Sequence, residues 1–157
     1  PALLKRLVLM CGAFTDRFSH IVECEWNARC DPYATAMVYH AAAPVHRSVG
    51  LDVTFQVNLS KEEVSRRFRH PVLQPVLDFA GVWFEEADVI TFHDPLTAVG
   101  LFVPEVLTYA RGQVHVELCN TARMGLTRLR RAENGPHEVA ETVDVGGFFD
   151  AYFSVFR

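Results

Sequence analysis

The 157-residue sequence is poor in the groups that announce the commoner chemistries. Its four cysteines, Cys11, Cys24, Cys30 and Cys119, form no Cys-x-x-Cys pair and are too sparse for a disulfide scaffold, which leaves reduced thiols in a cytoplasmic protein as the expectation. Lys and Arg number 15 against 19 Asp and Glu, and they cluster only at "RLRR", residues 128–131. With a net charge of -4 and no basic stripe, neither nucleic acid nor a membrane surface is expected as a partner. The longest apolar run, near "RLVLMCGAF", is far too short to cross a bilayer, and no signal-peptide order opens the chain. Nucleophile elbows, phosphate-cradling glycine loops and His-Glu-x-x-His helices are all missing. So are internal repeats, linkers and low-complexity segments. The opening "PALLKRLVLM" has neither a starting methionine nor a polar lead-in, as in a chain cut from something longer.

What is present suits an α/β domain. Half of the residues are apolar, enough for a real core. "LVLM", residues 7–10, closed by Cys11-Gly12, reads as a strand covered on both faces, as in a parallel sheet, where chemistry sits just past the strand end. A long irregular loop, residues 13–29, carries "ECEWN". In "DPYATAMVYHAAA" Asp31 caps a helix, Pro32 takes its first position, and Ala34, Met37, Val38 and Ala41 form the expected buried face. "RSVGLDVT", residues 47–54, reads as a second buried strand, and Ser60 with Glu63 makes a capping box that opens "SKEEVSRRF". His70-Pro71 ends that helix, and "VLQPVLDFAGVWFEEA" supplies another. In "FHDPLTAVG" Asp94 is placed to cap a helix over residues 96–103. "QVHVEL", "GLTRLRR" and "EVAETVD" read as half-exposed strands of a small antiparallel appendage. Asp144 opens a last helix with Phe149, Tyr152, Phe153 and Phe156 on one core-facing stripe.

The residues left for chemistry are rich in oxygen: Glu23, Glu25 and Asn27 in one loop, and His93-Asp94 far downstream. Carboxylate and amide oxygens suit a hard cation or the hydroxyls of a sugar. Solvated glutamates, a turn asparagine and a helix-capping aspartate are the plain alternatives, and Asp31-Pro32 shows that an Asp-Pro pair does not by itself indicate metal.

Taken in order, "LVLMCGAF", "ECEWNARCDPYAT", "VGLDVT" and "FHDPLTAVGLFVPEVL" resemble the second half of the inosine–uridine-preferring nucleoside hydrolases. That family has a strand ending in a Met-Gly-Gly-type turn, a Glu-Phe-Asn followed by Asp-Pro-Glu-Ala, a Gly-Leu-Asp-x-Thr segment and a His-Asp-Pro. The resemblance implies a mostly parallel Rossmann-like sheet with helices on both faces. It implies hydrolysis of a ribonucleoside to nucleobase and ribose, with Ca²⁺ holding the ribose hydroxyls and a water. Glu25 and Asn27 match the residues that bond the ribose hydroxyls, and Trp26 stands where Phe is usual. Asp94 matches one Ca²⁺ ligand, and His93 the histidine beside the leaving base, where it assists departure in purine-preferring members.

The departures matter as well. Ser19 replaces an asparagine that reaches the sugar, Tyr33 replaces the glutamate after Asp-Pro, and Trp83 or Phe84 would substitute for a pocket tyrosine. The family's aspartate cluster, D-x-D-P-G-x-D-D, is not found. One aspartate cannot hold Ca²⁺, which takes about six to eight oxygens. The chain therefore reads as a single partial domain, residues 1–157, lacking the aspartate-rich N-terminal portion. Expected partners are a ribonucleoside and either further copies, as a homo-oligomer (dimer or tetramer), or an N-terminal partner chain. The rival reading is a non-catalytic nucleoside- or sugar-binding relic, or an assembly partner on the same scaffold.

Overall fold

The computed structural model describes residues 4–18 and 23–156. Strand β1 (Leu7–Leu9) leads through a 3-10 turn at Asp16–Phe18 to helix α1 (Trp26–Cys30). Helix α2 (Pro32–His40) begins as its sequence dictates, with Pro32 in the first turn and the Asp31 side chain accepting the Ala34 N–H at 2.8 Å. Strand β2 (His46–Ser48) and helix α3 (Leu51–Thr54) follow. Strand β3 (Asn58–Ser60) enters helix α4 (Lys61–Arg67) through the Ser60–Glu63 capping box. Helix α5 (Gln74–Trp83), strand β4 (Val89–Thr91) and helix α6 (His93–Phe102) lead to strands β5 (Leu107–Val116), β6 (Thr127–Arg131) and β7 (His137–Val143). Helix α7 (Val145–Ser154) closes the order, with Asp144 accepting the Gly147 N–H.

The architecture is α/β, as read from the sequence. One sheet runs β1-β2-β7-β5-β6, parallel from β1 through β2 to β7 and antiparallel from β7 through β5 to β6. The late strands thus continue the main sheet, and the small antiparallel sheet is β3 with β4. Alternating polarity showed half-exposed strands, but the pairing of β7 with β2, far apart in the chain, is a tertiary choice that a local pattern does not carry.

Two expectations fail on local grounds. Residues 47–54 are not one strand: β2 stops at Ser48, Gly50 is the helix cap, and Leu51–Thr54 is a fully buried helix. A short buried helix and a buried strand both read as continuous apolar runs, so periodicity cannot separate them. Helix α2 buries Ala36 and Tyr39 rather than the stripe Ala34, Met37, Val38 and Ala41. Tyr39 decides the rotation, because its hydroxyl bonds Ser48 Oγ at 2.7 Å and its ring packs against His46 and His137.

The main core lies between the sheet and helices α4, α6 and α7. Phe68, Phe92, Phe148, Phe149 and Phe153 meet there edge to face or stacked, at centroid distances of 5.0–6.3 Å. Burying each such ring contributes about 2–3 kcal/mol. Arg67 lies over the Phe153 and Phe149 rings at 4.1 and 5.0 Å, covering them from solvent.

The opposite situation holds at the front. Strand β1 is the end strand of its sheet among the described residues; Trp26, near its end, is 74% exposed, and Met37 on α2 is 75% exposed. On α5, Val76, Phe79, Val82 and Trp83 are exposed as well. A bare strand edge beside apolar side chains invites association. The isolated chain is expected to self-associate with rising concentration in light scattering; a monodisperse monomer with a sharp melting transition would count against this.

Candidate active site

The loop after β1 turns at Gly12, whose φ of +97° is the left-handed region. A Cβ there would lie 2.5 Å from Phe14 Cζ and 2.9 Å from Thr127 Oγ1. Side chains from three other elements then hold the loop. The Gly12 N–H donates to Glu25 Oε2 at 3.1 Å, Ala13 N–H to Thr127 Oγ1 at 3.0 Å, and the Phe14 and Thr15 N–H groups to the Asp52 carboxylate at 2.8 and 3.0 Å. Gly12 O accepts the Leu51 N–H at 2.9 Å, tying the loop to α3.

Glu25 is buried, and its carboxylate accepts the Asn27 and Ala28 N–H groups at 2.6 and 3.0 Å in addition to Gly12. It is the N-cap of α1. Replacing it by glutamine leaves one acceptor oxygen for three donors, so Glu25→Gln is expected to destabilise the chain by about 1–3 kcal/mol, read as a lower denaturant midpoint. The Asn27 amide nitrogen donates to Met10 O at 3.1 Å, which fixes the side chain across the end of β1.

Helix α6 begins at His93, with Phe92 as its cap residue and no side-chain cap bond, so Asp94 is not the helix cap. The aspartate lies in the first turn, where the helix dipole favours its charge. Its carboxylate is exposed and free of the capping duty the sequence assigned to it. His93 is half-buried. Its Nδ1 bonds Thr54 Oγ1 at 2.8 Å, and its ring meets the Phe55 ring at 5.4 Å and 74°. Burial pushes the imidazole below the usual histidine range, against the pull of the Asp94 and Glu25 charges.

A cavity of about 310 Å³ is lined by Met10, Glu25, Trp26, Asn27, Leu51, Phe55, His93 and Asp94. It gathers the five residues singled out from the sequence, Glu25, Trp26, Asn27, His93 and Asp94, at the C-terminal end of β1. Other candidates lie elsewhere. Glu23 is exposed and pairs with Arg123 at 2.9 Å, and Tyr33 is exposed. Trp83 donates its indole N–H to Val89 O, and Phe84 packs on the main core; neither lines the cavity, whose aromatic walls are Trp26 and Phe55. Ser19 lies outside the described residues. Asp52 and Thr54 were passed over, although both belong to the "GLDVT" block, because reading that block as a strand hid their polar contacts.

The cavity has one exposed carboxylate, that of Asp94, and no group of three or more His, Cys, Asp or Glu side chains arranged for a metal occurs among the described residues. The donors of the described residues do not fit a complete cation site. Cys11, beside the cavity, is no nucleophile at neutral pH, since burial and the Glu25 charge push its thiol up to about 12.

Residues 1–150 match the family model of the inosine-uridine preferring nucleoside hydrolases, and the chain belongs to that family. A probable uridine nucleosidase 2 from Oryza sativa subsp. japonica is 29% identical over 161 residues, covering 90% of this chain and 47% of the rice protein. The inosine-uridine preferring nucleoside hydrolase of Leishmania major is 31% identical over 159 residues, covering 93% of this chain and 49% of its own. A solved purine-preferring ribonucleoside hydrolase from Gardnerella vaginalis shares the fold, with a TM-score of 0.77 at 24% identity over 95% of this chain and 51% of that one. The chain spans about half the length of the relatives it matches. Among the described residues, no helix is long and apolar enough to cross a membrane.

Proposed function

We propose that this chain forms the base- and ribose-contacting half of a nucleoside hydrolase, which cleaves the N-glycosidic bond of a ribonucleoside to give nucleobase and ribose. The carrying observation is the cavity that brings Glu25, Trp26, Asn27, His93 and Asp94 together in a chain of this family. A carboxylate has about four acceptor positions, so Glu25, with three in use, keeps one for a ribose hydroxyl, and Asn27 offers its amide oxygen to a second. Trp26 forms the wall on which the nucleoside rests. His93 faces the leaving base and supports its departure by a hydrogen bond.

Asp94 would offer one oxygen to a Ca²⁺, whose remaining ligands, with the general base, would have to come from groups other than the cavity residues described. Activity then requires the complementary half, supplied by a longer form of the protein, a partner chain or an oligomer, in a cytoplasmic setting. A non-catalytic role on the same scaffold is favoured by one observation, Ser19 where the family has an asparagine that reaches the sugar.

Ribose release from inosine and uridine by the chain assembled with its complementary half, in Ca²⁺ and after chelation, separates the two readings. Release that chelation abolishes is expected. No release across a broad nucleoside panel would sink the hydrolase reading, and saturable nucleoside binding without release would support the non-catalytic role.

A further inference from the structure

Thr54 is fully buried, and its hydroxyl makes one hydrogen bond among the described residues, to His93 Nδ1 at 2.8 Å. That contact can run in two directions. If the ring donated from Nδ1, the hydroxyl would be only an acceptor, and its own hydrogen would be buried without a partner. An unsatisfied buried donor costs about 1–3 kcal/mol, whereas a hydroxyl oxygen that donates once and accepts nothing leaves only lone pairs unused. The hydroxyl therefore donates, and Nδ1 accepts. A neutral imidazole that accepts at Nδ1 carries its hydrogen on Nε2.

We infer that Thr54 is a positioning residue that sets the tautomer of His93, so that Nε2 presents an N–H to the cavity. Backbone geometry prepares this. Thr54 is the last residue of α3, held by its N–H to Gly50 O at 3.1 Å, and Phe55 packs its ring against the imidazole. The ring is thus fixed in both orientation and polarity before any ligand enters. Nε2 makes no hydrogen bond among the described residues, so its N–H is available to an acceptor in the cavity.

The chemical class this selects is a ligand that offers a lone pair at that point. An unprotonated ring nitrogen of a purine does so; a ring N–H does not. The use of the N–H on a departing base rests on the hydrolase reading. The tautomer itself does not.

Long-range ¹H–¹⁵N correlation of the imidazoles in the full ¹⁵N-labelled chain at neutral pH reads the tautomer directly. The expected result is a His93 ring with a protonated Nε2 and an unprotonated, hydrogen-bonded Nδ1. Thr54→Val, close in shape, should lose that preference, and Thr54→Ser should keep it. A wild-type ring protonated at Nδ1, or a Thr54→Val spectrum unchanged from wild type, would overturn the inference; if the valine variant does not fold, the wild-type spectrum decides alone. In the assembled protein, Thr54→Val should lower kcat for a purine nucleoside about tenfold with little change in KM. A correct tautomer without any nucleoside hydrolysis would leave this inference standing and defeat the hydrolase reading instead.

Discussion

Replacing His93 by alanine in the assembled protein is expected to lower kcat for a purine nucleoside by about 10²–10⁴-fold while moving KM only a few-fold. A positioned proton or hydrogen-bond donor at a leaving group contributes on that scale. On the proposed hydrolysis the effect falls on kcat, because the base would gain charge only as the glycosidic bond breaks and the interaction would strengthen in the transition state. The cavity explains why no neighbour can take over. Its other polar groups are Glu25 and Asp94, which bring negative charge, Asn27, whose amide hydrogens are occupied by Met10, and the Trp26 indole, whose N–H donates a hydrogen bond but does not give up its proton. Uridine, whose base is a different leaving group, should show a smaller loss. Steady-state rates on inosine and uridine check this, and a His93→Ala variant within twofold of wild type on both would remove His93 from the chemistry.

Acid should weaken the fold through a different histidine. His46 is 3% exposed, and its Nε2 is buried with no hydrogen-bond partner among the described residues. Its ring stacks on Tyr39 and meets His137 edge to face at 4.7 Å. Burial, then repulsion by His137, pushes its pKa down to about 4, although the Ala41 carbonyl pulls the other way.

Burial pushes the pKa of His137 on β7 down as well. Val114 N–H donates to its Nδ1 at 2.9 Å, and its Nε2 donates to Tyr39 O at 2.8 Å, so a second ring proton would face a donor. His40 and His115 add like charge around it in acid. The Tyr39 phenol stays neutral, since burial raises its pKa well above the ordinary value.

The sign follows from which state binds the proton. The unfolded chain takes it up near pH 6.5 and the folded chain only near 4. Stability from His46 is therefore complete above about pH 6.5, falls as the pH drops towards 4, and changes no further below that. The full loss is about 3 kcal/mol. Denaturant midpoints from pH 7 to pH 4 measure it, and His46→Phe, which keeps a ring on Tyr39, should flatten the slope. An equal slope in the variant would assign acid sensitivity to other groups.

What the sequence carried, and what it did not, divides by range. The caps at Asp31, Ser60 and Asp144 were legible because an N-cap is a bond between near neighbours. The aromatic stripe of α7 was legible because its period reports one buried face. Asp94 misled for the same local reason: Asp-Pro opens α2 with the aspartate as cap, but in α6 the helix already begins at His93. The placement of Glu25, Trp26, Asn27, His93 and Asp94 around one cavity came from the ordered blocks, not from periodicity. The roles of Asp52 and Thr54 stayed hidden, because each acts on residues roughly forty positions away and neither contact has a local signature.

The turn between β1 and the 3-10 helix has a dynamic consequence. Gly12, Ala13, Phe14 and Thr15 form no strand or helix, yet each of their four amide hydrogens is claimed by a side chain anchored in α1, α3 or β6. Amides in irregular segments ordinarily exchange with solvent through small local fluctuations. Here each exchange event must first release a carboxylate or hydroxyl that sits on a packed element. This turn should therefore keep its deuterium as stubbornly as a strand, and loosen only when those elements separate.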